Sequence, residues 1–117
     1  MENKPTIRID EYSKLEIKIG HILSAEKVEG SEKLLKLSVD FGEENPRQVI
    51  SGIQAAFSDL STLIGKRCAF AANLPVRTIM GLESQGMILA VSGGENDNKF
   101  FSLLETSSDV SPGSVVK

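Results

Sequence analysis

The 117-residue sequence predicts an all-β domain whose five main strands close into a small barrel. Two observations support this prediction. Apolar and polar residues alternate along several consecutive segments, as they do in strands that bury one face. A short segment with helical spacing separates the third of these segments from the fourth. The chain is long enough to bury its own core, so residues 1–117 are expected to form a single domain.

Strand one is predicted at Leu15–Leu23, with Ile17 and Ile19 on one face and Lys18 on the other, solvent-facing side. The alternation changes phase at Gly20. A glycine at a phase change inside a strand indicates a bulge or a sharp bend. We therefore expect the first strand to be strongly bent.

The other strands follow from the same kind of pattern. In strand two, alternate residues are expected in the core, namely Leu35, Leu37, Val39 and Phe41. Strands two to five are predicted at Leu34–Gly42, Arg47–Ile53, Lys66–Leu74 and Gly86–Gly93. The last residues, about 93–117, are expected to form an extension of two short strands joined by a turn.

A short helix is predicted between strands three and four. Apolar residues from Phe57 to Ile64 are spaced as in one or two helical turns, and Gly65 then follows as a stop signal. A bent first strand and a helix at this place in the strand order are the plan of the OB-fold, a five-stranded barrel. The barrel core is expected at about 13–92, followed by the C-terminal β extension.

Reactive side chains are too few for most kinds of active site. The only histidine is His21 and the only cysteine is Cys68, so an internal disulfide and the paired spacings of a zinc site are both excluded. Ser92–Gly94 lacks the lysine of a phosphate-binding loop. Cys68 is expected to be buried in strand four. These features predict a binding module with no catalytic residues, no metal and no cofactor.

Charge and targeting signals indicate the surroundings of the protein. The N-terminus has no apolar signal core, and no apolar run approaches the roughly 18 residues of a membrane span, so a cytoplasmic protein is expected. The net charge is −3, and the acidic excess falls between Glu83 and Lys117. Residues 60–82 contain three bases and no acid, so a local basic surface is compatible with the acidic chain.

The segment Asn73–Met87, NLPVRTIMGLESQGM, is too broken for a helix and too apolar for an ordinary loop. Pro75 and Gly81 favour a loop that leads into strand five. Arg77 is suited to bind a phosphate or to stack on a base. Segment and strand order together make the chain resemble a known family, the tRNA-binding OB domain of the C-terminal appendix of bacterial methionyl-tRNA synthetases. The same domain occurs as free-standing structure-specific tRNA-binding proteins.

The resemblance covers nearly the whole chain, from IDEYSKLEIKIGHI through LIGKRCAFAANLPVRTIMGLESQGMILA to SPGSVVK. It implies binding of tRNA by shape and backbone, either as a free protein or as a trans-acting appendix (beta subunit) of methionyl-tRNA synthetase. It also implies a homodimer formed through the C-terminal extension. The tRNA-binding residues that it implies are Lys18, Lys33, Asn73, Arg77, Ser84, Gln85 and Met87.

Two segments depart from the family pattern. The first turn, EGSEKLL, keeps Lys33 and Leu34 but lacks the usual His, Pro and Asp. The loop PVRTIM carries Arg77 as its only charge, where relatives often have more bases. Because each lost phosphate contact weakens the electrostatic attraction, we expect weaker binding, or binding that depends more on shape and stacking.

The sequence also leaves open purely structural roles for these residues and other functions for the domain. Asn73, Ser84 and Gln85 could satisfy backbone groups of the loop, and Met87 could fill the core. A second family, the dimeric CsaA-type secretion chaperones that are proposed to bind unfolded preproteins, resembles the chain at KLEIKIGHI, VDFG and NLPVR. A third possibility is an interaction module that holds a synthetase through the acidic C-terminal third.

Overall fold

The computed structural model describes residues 3–117. The strands are β1 (Ile17–Lys27), β2 (Leu35–Asp40), β3 (Arg47–Ser51), β4 (Arg67–Ala71), β5 (Arg77–Ile79), β6 (Leu82–Ser84), β7 (Met87–Ile88), β8 (Ala90–Gly93) and β9 (Phe100–Leu103). An antiparallel five-stranded sheet, in the order β3-β2-β1-β4-β7, curls into the barrel, and two small hairpins, β5–β6 and β8–β9, form separate sheets. The helical elements are α1 (Ile9–Tyr12) and 3-10 turns at Gln54–Ala56, Leu60–Leu63 and Asn96–Asn98. The predicted all-β OB-type barrel is confirmed.

Strand β1 belongs to both halves of the barrel. Its first half pairs with β4 and its second half with β2, and the register shifts between Ile22 and Ser24. The irregularity was expected at Gly20, so its predicted position is wrong. Gly20 instead permits close packing, because a Cβ there would lie 2.5 Å from Val39 Cγ1 and 2.9 Å from Phe70 Cδ1.

The core is aliphatic, as the composition requires. Leu35, Leu37, Val39 and Phe41 of strand two are all buried in it, which confirms their predicted orientation. Cys68 is fully buried, also as predicted, and its burial raises the pKa of the thiol to about 11. A thiol with such a pKa stays protonated at neutral pH and packs as a small apolar group.

The orientation predicted for β1 is wrong. Lys18 pairs with Phe70, whose side chain is in the core, so Lys18 lies on the interior side of β1 near the end of the barrel. Its side chain is only 22% exposed, and its Nζ lies 3.3 Å from Glu16 Oε1. Ile17 and Ile19 therefore belong to the outer side. Ile19 is buried all the same, at 3% exposure. The C-terminal segment pairs with the free edge of β1 at this point, where Gly113 N donates to Ile19 O at 2.7 Å and Ile19 N donates to Ser114 O at 2.8 Å.

The C-terminal extension extends the sheet through backbone hydrogen bonds. Ala69 N donates to Leu104 O at 2.9 Å, and further along the chain Val116 N donates to Ile17 O at 2.8 Å. Of the two short strands predicted here, only β9 forms as a strand. The second is reduced to a single bridge between Lys18 and Val115.

The predicted helix and the predicted fifth strand are both divided. Residues 54–63 form two 3-10 turns in place of a regular helix, and Ile64 is 53% exposed where it was expected to pack. The second turn begins where Asp59 Oδ1 accepts a hydrogen bond from Ser61 N at 3.0 Å. The fifth strand is interrupted at Leu89, whose N–H donates to Ala69 O, and resumes as β8. In the described residues, helices are all too short to cross a membrane.

Candidate nucleic-acid interface

The segment predicted as a loop is a β-hairpin. Arg77 pairs with Ser84 and Ile79 with Leu82, and the turn between the strands is Met80–Gly81. Both turn residues have positive φ, 50° at Met80 and 79° at Gly81, as in a type I′ turn. Such turns favour Asn-Gly, and a methionine at the first position gave no sequence signal for a hairpin.

Side chains fasten the end of this hairpin to the edge of β3. Ser84 is 3% exposed. Its Oγ accepts a hydrogen bond from Ile50 N at 2.9 Å and donates to Gly86 O at 3.0 Å. Gln85 Oε1 accepts from Gln48 N at 2.9 Å, and Gln85 N donates to Gln48 O at 2.7 Å. Ser84 and Gln85 thus complete the closure of the barrel beside β3.

Asn73 fastens the start of the same segment. Its Oδ1 accepts from Glu16 N at 2.7 Å and its Nδ2 donates to Lys14 O at 2.6 Å. The amide therefore ties the chain after β4 to the chain before β1. Lys18 lies at the same end of the barrel, where it pairs with Glu16.

Arg47 clamps both ends of the hairpin segment, and sequence reasoning did not identify it. Its Nη1 donates to Ala72 O at 2.6 Å and to Gln85 O at 3.2 Å, the two residues that bracket the segment 73–84. Its Nε and Nη2 donate to Glu43 at 2.8 and 2.7 Å, and the guanidinium lies 5.1 Å from the centroid of the Phe41 ring. These hydrogen bonds hold the pKa of Glu43 below its usual range. The i, i+4 spacing of Glu43 and Arg47 was the available sequence signal.

Two predicted contact residues project freely. Arg77 is exposed on β5, and Lys33 is exposed in the β1–β2 turn. Within residues 3–117, neither forms an ion pair. Met87 is 44% exposed on β7 and pairs with Ala71, which pairs with Ile17. The structure therefore places Met87 on the outer side of the β1–β4 half of the barrel.

The hairpin, the β1–β2 turn (residues 28–34) and the outer sides of β2 and β3 form one continuous surface, which we call the hairpin face. A cleft of about 300 Å³ runs along it, lined by Ser24, Lys36, Leu37, Ser38, Pro46, Arg47, Gln48 and Gln85. A second cleft, of about 380 Å³, separates the hairpin tip from the β1–β2 turn, and Lys36 also lines it. In OB-folds this face and the two loops that flank it hold oligonucleotides.

The hairpin face offers cations, hydroxyls and amides, which are the groups that bind phosphates, riboses and base edges. Across the described part of the chain, no group of three His, Cys, Asp or Glu side chains is arranged to hold a metal ion. The chemistry supported by this geometry is recognition of a polyanion with exposed polar edges.

Comparisons with known proteins agree with this chemistry. A family model described as "Putative tRNA binding domain" matches residues 17–115. The chain is 45% identical over 116 residues to the methionine--tRNA ligase of Archaeoglobus fulgidus, a match that covers 99% of this chain and 17% of that protein. The methionine--tRNA ligase of Methanocella arvoryzae is 40% identical over 113 residues, which are 97% of this chain and 16% of the relative. The chain thus spans about one sixth of these relatives.

Solved structures show the same barrel. The MetRS related protein of Pyrococcus horikoshii superposes with a TM-score of 0.84 at 32% identity, covering 97% of this chain and all of that one. The chaperone CsaA of Bacillus anthracis superposes with a TM-score of 0.77 at 22% identity, with 97% and 100% covered, a likeness that shows the fold alone. Since the family model matches nearly the whole barrel, the chain belongs to the tRNA-binding domain family.

Proposed function

We propose that this domain binds tRNA on the hairpin face, by shape and by contacts to the sugar-phosphate backbone, without catalysis of its own. The observation that carries the proposal is the position of Arg77. It is an exposed base with no partner among the described residues, on a hairpin whose two ends are fixed to the barrel. A hairpin that is held at both ends loses little backbone conformational entropy on binding. Lys33, exposed in the neighbouring turn, is the second proposed phosphate contact.

The other predicted residues divide by their surroundings. We propose that Ser84, Asn73 and Gln85 position the hairpin, because their polar groups already bond the barrel. Lys18 adds positive potential at the barrel end, although Glu16 partly offsets it. Met87 offers an apolar surface beside the strand, against which part of the RNA can pack.

A salt titration with one charge removed tests the proposal. Arg77→Ala is expected to weaken tRNA binding about five- to tenfold at low salt and to reduce the slope of log affinity against log salt by roughly 0.7–0.9, the loss of one phosphate contact. Lys99→Ala, which removes a base from the turn before β9, is the matched control and should leave both quantities unchanged. Binding is measured by filter retention of labelled total tRNA.

Two outcomes would contradict tRNA binding on this face. Equal losses of tRNA affinity in Arg77→Ala and Lys99→Ala would mean that binding depends only on the net charge of the protein and not on the hairpin face. Salt-independent binding of an unfolded preprotein peptide, with no binding of tRNA, would favour the chaperone function instead. The chaperone alternative rests on the shared barrel alone. Binding of the peptide in this titration would support it, and absence of peptide binding would contradict it.

We further propose that two copies associate through the C-terminal extension, in the cytoplasm, and that the dimer serves as a free tRNA-binding protein or as the trans-acting appendix of a methionyl-tRNA synthetase chain. Apolar side chains remain exposed on the extension after it pairs with the barrel. They are Phe100, Leu104, Val115 and Val116, each at least 40% exposed. A two-fold pair would present two hairpin faces to one tRNA, which raises affinity through effective concentration.

Placing a charge in this apolar surface tests the association. Val115→Asp is expected to halve the mass measured by light scattering at micromolar concentration, because a carboxylate is costly to bury in an apolar interface. Ile64→Asp, at an equally exposed apolar position outside the extension, should leave the mass unchanged. A wild-type mass equal to one chain would contradict the proposed dimer.

A further inference from the structure

Met80 occupies an unusual position at the tip of the hairpin. Its φ is 50°, in the left-handed region that glycine and asparagine adopt far more readily than methionine. Its side chain is 58% exposed, so packing in the core does not explain the choice of residue. A turn of this type would be better served by Asn-Gly, and a strained, exposed apolar residue is therefore a candidate for a functional role.

The side chain of Met80 forms one wall of the cleft between the hairpin tip and the β1–β2 turn. Its Cε approaches the turn closely, lying 3.8 Å from where a Cβ on Gly30 would be. The cleft has a volume of about 380 Å³, within the range of small-ligand pockets. Its lining residues are Glu26, Lys27, Val28, Glu29, Lys36, Met80 and Leu82.

The charges of this lining oppose a bare phosphate as the occupant. Two lysines and two glutamates cancel to zero, and Lys36 Nζ already lies 3.4 Å from Glu26 Oε2. The apolar members, Val28, Met80 and Leu82, suit the flat face of an uncharged ring. The carboxylates can accept hydrogen bonds from an exocyclic amino group, as Glu and Asp do from cytosine.

We infer that this cleft takes one unstacked base of the bound tRNA, an adenine, cytosine or guanine, with its face against Met80 and its amino group directed at Glu26 or Glu29. The inference rests on the proposed tRNA binding and deepens it. In this arrangement the basic side chains of Lys33, in the turn, and Arg77, on β5, bind the sugar-phosphate backbone of the tRNA, while the cleft binds the nucleobase. Sequence-specific contacts to RNA are commonly made to such unstacked bases in loops.

Met80→Asn separates the role of the side chain from that of the turn. Asparagine suits the left-handed conformation, so the thermal midpoint should equal or exceed that of wild type. The affinity for a purified tRNA transcript should fall about fivefold, the lower end of what a stacking surface contributes. Met80→Leu keeps an apolar surface and should bind within about twofold of wild type. Ile64→Asn, at an exposed apolar position away from the cleft, is the matched control and should bind as wild type.

Chemical probing of the tRNA in each complex identifies the base. Dimethyl sulfate reports adenine and cytosine, and a carbodiimide reports guanine and uracil. We expect one nucleotide that is protected in the wild-type complex and reactive in the Met80→Asn complex. Wild-type affinity in Met80→Asn, or a lowered midpoint, would overturn the inference, and a uridine as the protected nucleotide would overturn the role of the carboxylates. Failure of wild type to bind tRNA would instead refute the proposed function itself.

Discussion

Replacement of Arg47 by alanine is expected to destabilise the domain by about 3 kcal/mol, because two charge-assisted hydrogen bonds to backbone carbonyls are lost at roughly 1.5 kcal/mol each. Those carbonyls belong to Ala72 and Gln85, at the two ends of the hairpin segment. No other described side chain bonds both ends. The variant should therefore also loosen the hairpin relative to the rest of the barrel.

Chemical denaturation measures the loss of stability, and amide hydrogen exchange measures the loosening. Exchange in Arg47→Ala should increase more between residues 77 and 84 than in β2, whose ladder does not involve Arg47 side-chain atoms. The tRNA affinity should fall as well, since the contact residue Arg77 is then carried on a mobile hairpin. A uniform increase in exchange over the whole barrel would contradict the clamp.

Glu43→Gln is the matched control, because it removes the ion pair of Arg47 and leaves both backbone carbonyls in place. The Glu43 side chain is 38% exposed, so we expect only a small loss of stability, under about 1 kcal/mol. The arginine hydrogen bond lowers the pKa of Glu43 in the folded state. Its contribution is therefore complete above the unfolded pKa and is lost as the pH falls through the lower, folded pKa. Stability of wild type should fall more steeply in acid than that of Glu43→Gln.

The core was predictable from the sequence because its pattern is local. Leu35, Leu37 and Val39 alternate within one strand, and period-two burial follows directly from the geometry of a strand. The same reasoning failed for Ile19 and Lys18. Alternation shows which residues share a face but not which face is turned inward. Lys18 is on the inner face because it pairs with Phe70, which comes much later in the chain and lies in the core.

The sequence singled out the segment 73–87 as the candidate site but did not show how that segment is built. Arg77 was expected to reach out from it, and its side chain is exposed. The hairpin was missed because Met80 occupies a position where asparagine or glycine is the usual signal. Arg47 was missed because its partners, Ala72 and Gln85, are backbone groups that leave no trace in side-chain composition. A side chain that bonds backbone groups far away in the sequence can be identified only from the folded structure, because residue spacing along the chain does not show such contacts.

Ser84→Ala is expected to cost about 2 kcal/mol of stability, since it leaves the buried N–H of Ile50 without its acceptor. The resemblance implied that Ser84 touches tRNA, whereas its hydroxyl is buried and already bonds Ile50 and Gly86. Ser84 lies on β6 and pairs with Arg77 on β5. We propose that any loss of tRNA affinity in this variant arises because β6 is displaced and moves Arg77 with it.

Two further variants distinguish positioning from contact. Ser92→Ala, on the exposed β8, removes a hydroxyl of the same kind and should change stability by less than about 0.5 kcal/mol. Ser84→Cys restores a group of similar size that accepts hydrogen bonds only weakly, so its stability should lie between those of alanine and serine. If Ser84 positions the hairpin, tRNA affinity and free energy of unfolding should fall together across serine, cysteine and alanine. Loss of affinity with unchanged stability would make Ser84 a contact residue after all, and would require the barrel to open at β3 when tRNA binds.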